Sequence, residues 1–179
     1  VLGMHNVANA LAASACAHTL DISIEKIAEG LTIFCGVAGR LQCLEGLNTS
    51  TVIDDSYNAN PNSFCAAIDV LSDMSAKTVL IMGDMAELGD DSEREHEKVG
   101  AYANEKHVDL LLTLGHQSKK ASNVFLGDKK HFDSIEQLIT VAAQQANENT
   151  VLLIKGSRSS RMDRVVQALT QRGDINASL

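Results

Sequence analysis

A doubly wound, mostly parallel α/β sheet is the fold this sequence predicts, and three observations carry it. KTVLIM (77–82), VDLLLTL (108–114) and TVLLI (150–154) are continuous apolar runs of strand length, as expected of strands buried on both faces. Segments with helical spacing of apolar residues separate them. Polar loops rich in Gly, Ser, Asp and Asn follow the runs, at the carboxyl ends of strands, where an open α/β sheet binds its ligands.

The elements follow in order. Val7, Leu11, Ala15 and Leu20 share one helical face, with Ala8 and Ala12 beside them. Ser23 is placed to cap a second helix carrying Ile24, Ile27, Ala28 and Leu31. CGVAGR (35–40) interrupts the periodicity with two glycines and sets a domain boundary near residue 38, dividing the chain into 1–38 and 39–179. LQCLEG and TSTVIDD then read as a strand pair turning around Gly46 and Asn48. Phe64, Ala67, Ile68, Leu71 and Met74 give a helix, and Pro61 suits its first position with Asn60 as its cap. Ser92 and Glu95, and later Ser134 and Gln137, have the spacing of a capping box. A short polar helix and a weak strand near Val124 or His131 lie between them. Met162, Val165, Val166 and Leu169 form a last amphipathic helix, and the polar tail after Arg172 is expected to fray.

Composition narrows the function. Apolar residues make up 45% of the 179, enough for a sizeable core, but aromatics are only 3% and Trp is absent, so aliphatic side chains must fill it. A net charge of −8 excludes a broad electrostatic footprint for nucleic acid or an anionic membrane. No apolar run approaches the roughly 20 residues of a membrane span. Cys16, Cys35, Cys43 and Cys65 lack C-x-x-C spacing, which favours incidental thiols of a reduced, cytoplasmic protein over a zinc site. The chain opens VLGMHNVANA, with no initiator Met at position 1 and straight into helical periodicity, so a preceding segment is expected.

Four loops lie at the expected ligand rim: DDSYNANP (54–61), GDMAELGDDS (83–92), GHQSKK (115–120) and KGSRSSR (155–161). An aspartate after a strand supplies the acceptors a ribose diol needs, although turn carboxylates also bond to nearby backbone N–H groups. Asp84, Glu87, Asp90 and Asp91 suit a helix N-terminus and its dipole more than a metal. His96 and His107 are expected on the surface of the helix they lie in or beside. Lys155, Ser157, Arg158, Ser159, Ser160 and Arg161 concentrate positive charge and hydroxyls where a strand feeds a helix, a combination suited to carboxylate or phosphate. In the first helix His5 and Asn9 share a face, and an asparagine amide offers donor and acceptor to a base edge.

GMHNVANALAASA, then Gly39-Arg40, DDSYNANPNSF, GDMAELG and KGSRSSRM resemble, in that order, the Mur ligases of peptidoglycan synthesis. The likeness runs from Gly3 to Leu169 and is nearest to the branch that adds D-alanyl-D-alanine to UDP-N-acetylmuramoyl-tripeptide. That family has a UDP-substrate domain, a central ATPase domain and a C-terminal Rossmann-like domain. The resemblance implies that the chain holds the last helices of the central domain and the whole C-terminal one. It also implies ATP-dependent ligation through an acyl phosphate, with ATP and Mg²⁺ as cofactors. Carried over by motif position, Asn9 faces the adenine, Asp55 the ribose and Arg40 the phosphates. Asn58, Asn60, Lys155, Ser157 and Arg158 fall at the cleft where the dipeptide meets the acyl phosphate. The family's glycine-rich phosphate loop, its magnesium ligands, its modified lysine and its UDP-binding domain are not in this sequence. The missing N-terminal and central domains are therefore expected partners, and the chain alone is expected to be inactive.

Two other readings compete. A receiver-like phosphoacceptor signalling domain could use Asp54, Asp55 and Lys155. A nicotinamide-dependent dehydrogenase is disfavoured because no G-x-G-x-x-G follows any strand.

Overall fold

The structure, a computed structural model, describes residues 3–34 and 36–170. Cys35 and the tail expected to fray lie outside them. The strands are β1 (Gln42–Glu45), β2 (Thr51–Asp55), β3 (Lys77–Gly83), β4 (Leu110–Leu114), β5 (Asp128–Phe132) and β6 (Thr150–Lys155). The helices are α1 (Met4–Thr19), α2 (Ile24–Ile33), α3 (Pro61–Ser72), α4 (Ser92–Glu105), α5 (Ser118–Val124), α6 (Ile135–Gln145) and α7 (Asp163–Leu169).

All six strands join one sheet in the order β1-β2-β6-β3-β4-β5. Only β1 runs antiparallel, paired with β2 from Gln42↔Asp54 to Glu45↔Thr51. The other neighbours are parallel, with Ile53 opposite Leu153 and Leu80 opposite Leu153. The last of the described strands in chain order is thus a central one.

The apolar runs alternate between two cores. Ile53, Leu80, Met82, Leu111 and Leu153 face one side, where Phe64, Ile68 and Leu71 of α3 and Val99 and Ala103 of α4 cover them. Val52, Ile81, Leu112, Leu152 and Ile154 face the other, under Leu138 and Ala142 of α6 and Val165 and Leu169 of α7. Each fully buried Leu or Ile contributes about 1.5–3 kcal/mol over an exposed one. The outer strand β5 carries Asp128, Lys129 and Lys130, whose exposed charges blunt an otherwise open sheet edge. Gly100 lets α4 approach α5: a Cβ there would lie 2.3 Å from the Ala121 carbonyl oxygen.

The helix termini test the capping expectations. Asn60 caps α3 by accepting from the Ser63 N–H at 2.8 Å, Ser63 Oγ accepts from the Asn60 N–H in return, and Pro61 opens the helix. Ser134 caps α6 by accepting from the Gln137 N–H, but its hydroxyl donates to Glu136 rather than joining a reciprocal bond with Gln137. Ser23 stands at the N-cap of α2 without a side-chain bond to the helix backbone. Ser92 does not cap α4. A 3₁₀ turn over Gly89–Asp91 leads directly into that helix, so Ser92 already has helical φ/ψ (−53°, −47°) and Asp91 takes the cap position. Glu95 pairs instead with Lys98 and Arg94. Leu20 and Met74 fall beyond the ends of α1 and α3.

The helix pair is built differently. α2 has no buried residue, and Leu11, Ile24 and Ile33 are 67%, 70% and 72% exposed. Before β1 the chain turns tightly over 37–40, with Val37 bridged to Arg40.

Candidate functional site

The site is built on the loop from β2 to α3. Asp54 and Asp55 end β2, and both are buried. Asp54 Oδ1 accepts from the Ser56 N–H at 3.1 Å and the Ser56 hydroxyl at 2.6 Å, and Oδ2 accepts from the Gly39 N–H at 3.2 Å. Asp55 Oδ1 accepts from the Leu41 N–H at 3.1 Å. The turn-carboxylate alternative therefore describes Asp54 fully and Asp55 in part. A carboxylate offers about four lone-pair sites. Asp55 spends one on Leu41 and one on Lys155, which leaves capacity for hydroxyl donors from the cleft it lines.

Lys155, at the end of β6, is 2% exposed. Its Nζ donates to Asp55 Oδ2 at 2.6 Å and to the Asn58 carbonyl at 2.9 Å, and lies 5.4 Å from the centre of the Phe64 ring. Burial pushes the Asp55 carboxyl up and the Lys155 ammonium down, and each shift is opposed by the partner's charge. A buried pair of this kind approaches break-even in energy, but removing one partner strands the other. Lys155 thereby ties the middle of the sheet to the β2–α3 loop. The Asn58 side chain accepts from the Ala59 N–H, which fixes the loop's exposed crest.

Two clefts share that crest. The first, about 560 Å³, is lined by Asn6 and Asn9 of α1, Arg40, Asp55, Asn58, Asn60 and Lys155. Arg40 is exposed, and its guanidinium stacks over the Tyr57 ring at 4.9 Å. The second, about 660 Å³, is lined by Tyr57, Asn58, Asn60, Glu87, Leu88, Ser157 and Arg158. Ser157 is buried, donates its N–H to the Asp84 carbonyl at 2.8 Å, and shares a hydroxyl–hydroxyl bond with Ser159 at 2.9 Å. Arg158 is exposed at the rim.

The structure brings together Asn9, Arg40, Asp55, Asn58, Asn60 and Lys155 around the first cleft, and Asn58, Asn60, Ser157 and Arg158 around the second. The His5 side chain lies outside those described. Asp84 does not reach into either cleft. Its Oδ1 accepts from the Ser118 N–H at 2.7 Å and ties the β3 loop to the start of α5. His107 is on the surface as expected, but His96 is fully buried. Its Nε2 accepts from the Met85 N–H at 2.9 Å and its Nδ1–H donates to the Ser92 carbonyl at 2.6 Å, so the ring clamps the β3–α4 loop. The spacing of His96, Val99, Gly100 and Ala103 on one helical stripe was the signal for this burial. Among the described residues no three His, Cys, Asp or Glu side chains are grouped to hold a metal ion.

Polar loops gathered at the carboxyl rim, around a cation and a half-committed carboxylate, define a doubly wound α/β domain with its ligand cleft at the strand ends. The profile described as "Mur ligase, glutamate ligase domain" matches residues 39–158, and the chain belongs to that family. It is 41% identical over 176 residues to the UDP-N-acetylmuramoyl-tripeptide–D-alanyl-D-alanine ligase of Escherichia coli K12, covering 96% of this chain and 38% of the relative. A crystal structure of MurF from Acinetobacter baumannii superposes with a TM-score of 0.83 at 34% identity, covering 94% of this chain and 38% of that one. MurF ligase from Thermotoga maritima, solved in complex with ADP, gives 0.80 at 25% identity over 95% of this chain and 39% of that one. The chain thus spans somewhat over a third of the length of these relatives. The family membership overturns the receiver reading. Asp54, which that reading needed free, has both oxygens bonded to Gly39 and Ser56, and Lys155 is held by Asp55 and Asn58.

No described helix is long and apolar enough to cross a membrane.

Proposed function

We propose that the chain is the C-terminal portion of an ATP-dependent ligase that joins D-alanyl-D-alanine to UDP-N-acetylmuramoyl-tripeptide in peptidoglycan precursor synthesis. The observation that carries this reading is the first cleft, where Asn9, Arg40 and Asp55, far apart in sequence, line one cavity in a chain of this family. In this reading residues 1–38 are the last helices of the central ATPase domain and residues 39–179 are the ligase domain. The Asn9 amide meets the adenine edge, Asp55 uses its remaining lone pairs on the ribose hydroxyls, and Arg40 meets the phosphates. The tripeptide carboxylate attacks the γ-phosphorus, giving an acyl phosphate and ADP. The dipeptide amine then attacks the acyl carbon, the C–N bond forms, and phosphate leaves. Asn58, Asn60, Ser157 and Arg158 line the second cleft, where the dipeptide carboxylate and the acyl phosphate would find donors. Lys155 holds that cleft's loop in place through the Asn58 carbonyl. Mg²⁺ ligands belong to the other domains, and a UDP-linked substrate puts the reaction in the cytoplasm.

Phosphate release tests this. The purified 179-residue chain is expected to give none above blank with ATP, tripeptide substrate and dipeptide. The full-length ligase is expected to release phosphate and form the amide only when all three are present. Robust turnover by the chain alone would overturn the division of labour between domains. Indifference of the full-length protein to D-alanyl-D-alanine would overturn the substrate.

A further inference from the structure

We infer that Asp54 is a positioning residue for the nucleotide cleft: it fixes the turn over 37–40 and, through that turn, the place of Arg40. What Arg40 contacts rests on the ligase reading above; the clamp rests on geometry. Consecutive residues of a strand send their side chains to opposite faces. Asp54 and Asp55 accordingly reach two different amides, those of Gly39 and Leu41, which flank Arg40 on either side. Gly39 is held at its other end too, because its carbonyl accepts from the Tyr57 N–H at 3.1 Å. The turn requires φ = +75° at Gly39, and a Cβ there would meet the Tyr57 Cβ at 3.0 Å. With the turn pressed against Tyr57, the Arg40 guanidinium comes to lie over the Tyr57 ring.

Asp54 differs from its neighbour in what it does. Asp55 is paired with Lys155 and lines the first cleft. Asp54 is 7% exposed, and its hydrogen bonds all come from backbone N–H groups and one hydroxyl. Both of its oxygens must accept. An amide supplies only one accepting oxygen. In Asp54→Asn that oxygen can keep the Ser56 bonds, while the NH₂ group is left facing the Gly39 N–H. This variant therefore breaks the junction bond selectively, and Ser56→Ala removes only a bond internal to the loop.

The experiment compares Asp54→Asn, Ser56→Ala and Arg40→Ala in the full-length ligase by steady-state kinetics in ATP and by amide exchange of the peptide spanning the turn. Asp54→Asn is expected to raise the KM for ATP about tenfold, to change kcat less than about threefold, and to speed exchange in the turn about tenfold, the scale of one lost buried hydrogen bond. Ser56→Ala is expected to leave all three near the parent values. In the Arg40→Ala background, Asp54→Asn is expected to add no further rise in KM, because the two act through one contact. Should Asp54→Asn fold poorly, Gly39→Ala strains the same turn from its other side and carries the same expectations. Unaltered exchange in the turn, equal effects of Asp54→Asn and Ser56→Ala, or full additivity with Arg40→Ala would each overturn the inference. An inactive parent enzyme would sink the ligase reading instead, and the exchange data would still decide the clamp.

Discussion

The sheet and the helix pair use the same kinds of residue to opposite effect. In the sheet, Leu80, Ile81, Leu152 and Leu153 are fully buried between two helical layers. In α1 and α2, Leu11, Ile24 and Leu31 stand at helical spacing just as regularly, yet all are exposed and line an apolar groove between the two helices. Periodicity specifies which face of a helix is apolar and says nothing of what covers it. Burial, and with it most of the stability, belongs to residues 41–169. The first cleft nevertheless draws Asn6 and Asn9 from the helix pair, so the site joins the well-packed part of the chain to the thinly packed part.

The sharpest test of that contrast is Lys155→Met, expected to cost about 3–5 kcal/mol because it strands a buried carboxylate. Its pH dependence has a definite sign. Without the ammonium, burial is the largest influence on Asp55 and, opposed only by the Leu41 N–H bond, raises its folded-state pKa further above the unfolded value. A raised pKa gives stability that is present below the unfolded pKa and is lost as pH rises through the folded one. The penalty relative to the parent is therefore smallest in acid and largest at neutral pH, which urea melts at several pH values would measure. Gly100→Ala comes next. In an isolated helix alanine would be favoured, but here its methyl group meets the Ala121 carbonyl, and a loss of about 1–3 kcal/mol is expected from thermal or urea unfolding. The smallest effect is Leu11→Ala, expected to change the stability of this chain by less than about 0.5 kcal/mol, against about 2–5 for the same truncation in a core. A core-sized loss at Leu11 would erase the comparison.

Much of the sheet was legible because double burial writes itself as unbroken apolar runs, seen in 77–82 and 150–154. The cap at Asn60 was legible because Pro61 beside it excludes most other conformations. The failures share a cause. Ser92 looked like a cap because spacing is blind to the backbone that precedes it, where the 3₁₀ turn had already begun the helix. His96 was missed because a polar ring can stand on a buried stripe when two backbone groups satisfy both its nitrogens. At the site, motif position located Arg40, Asp55 and Lys155 but could not show that Asp55 and Lys155 bind each other, or that Asp54 is spent on the junction. Those facts depend on contacts between residues 15 to 100 positions apart.

The position of β6 has a consequence for how the chain folds. It is the last of the six described strands in chain order and lies between β2 and β3, which are not paired with each other. Until residues 150–155 arrive, β1–β2 and β3–β4–β5 are separate fragments, each with an unpaired inner edge of apolar side chains. Closing the sheet requires contacts across about a hundred residues, the kind of non-local pairing that slows folding. During translation those edges stand open for several seconds at ordinary synthesis rates. A chain stopped just short of Thr150 would therefore be left with two unjoined groups of strands rather than a sheet short of one strand.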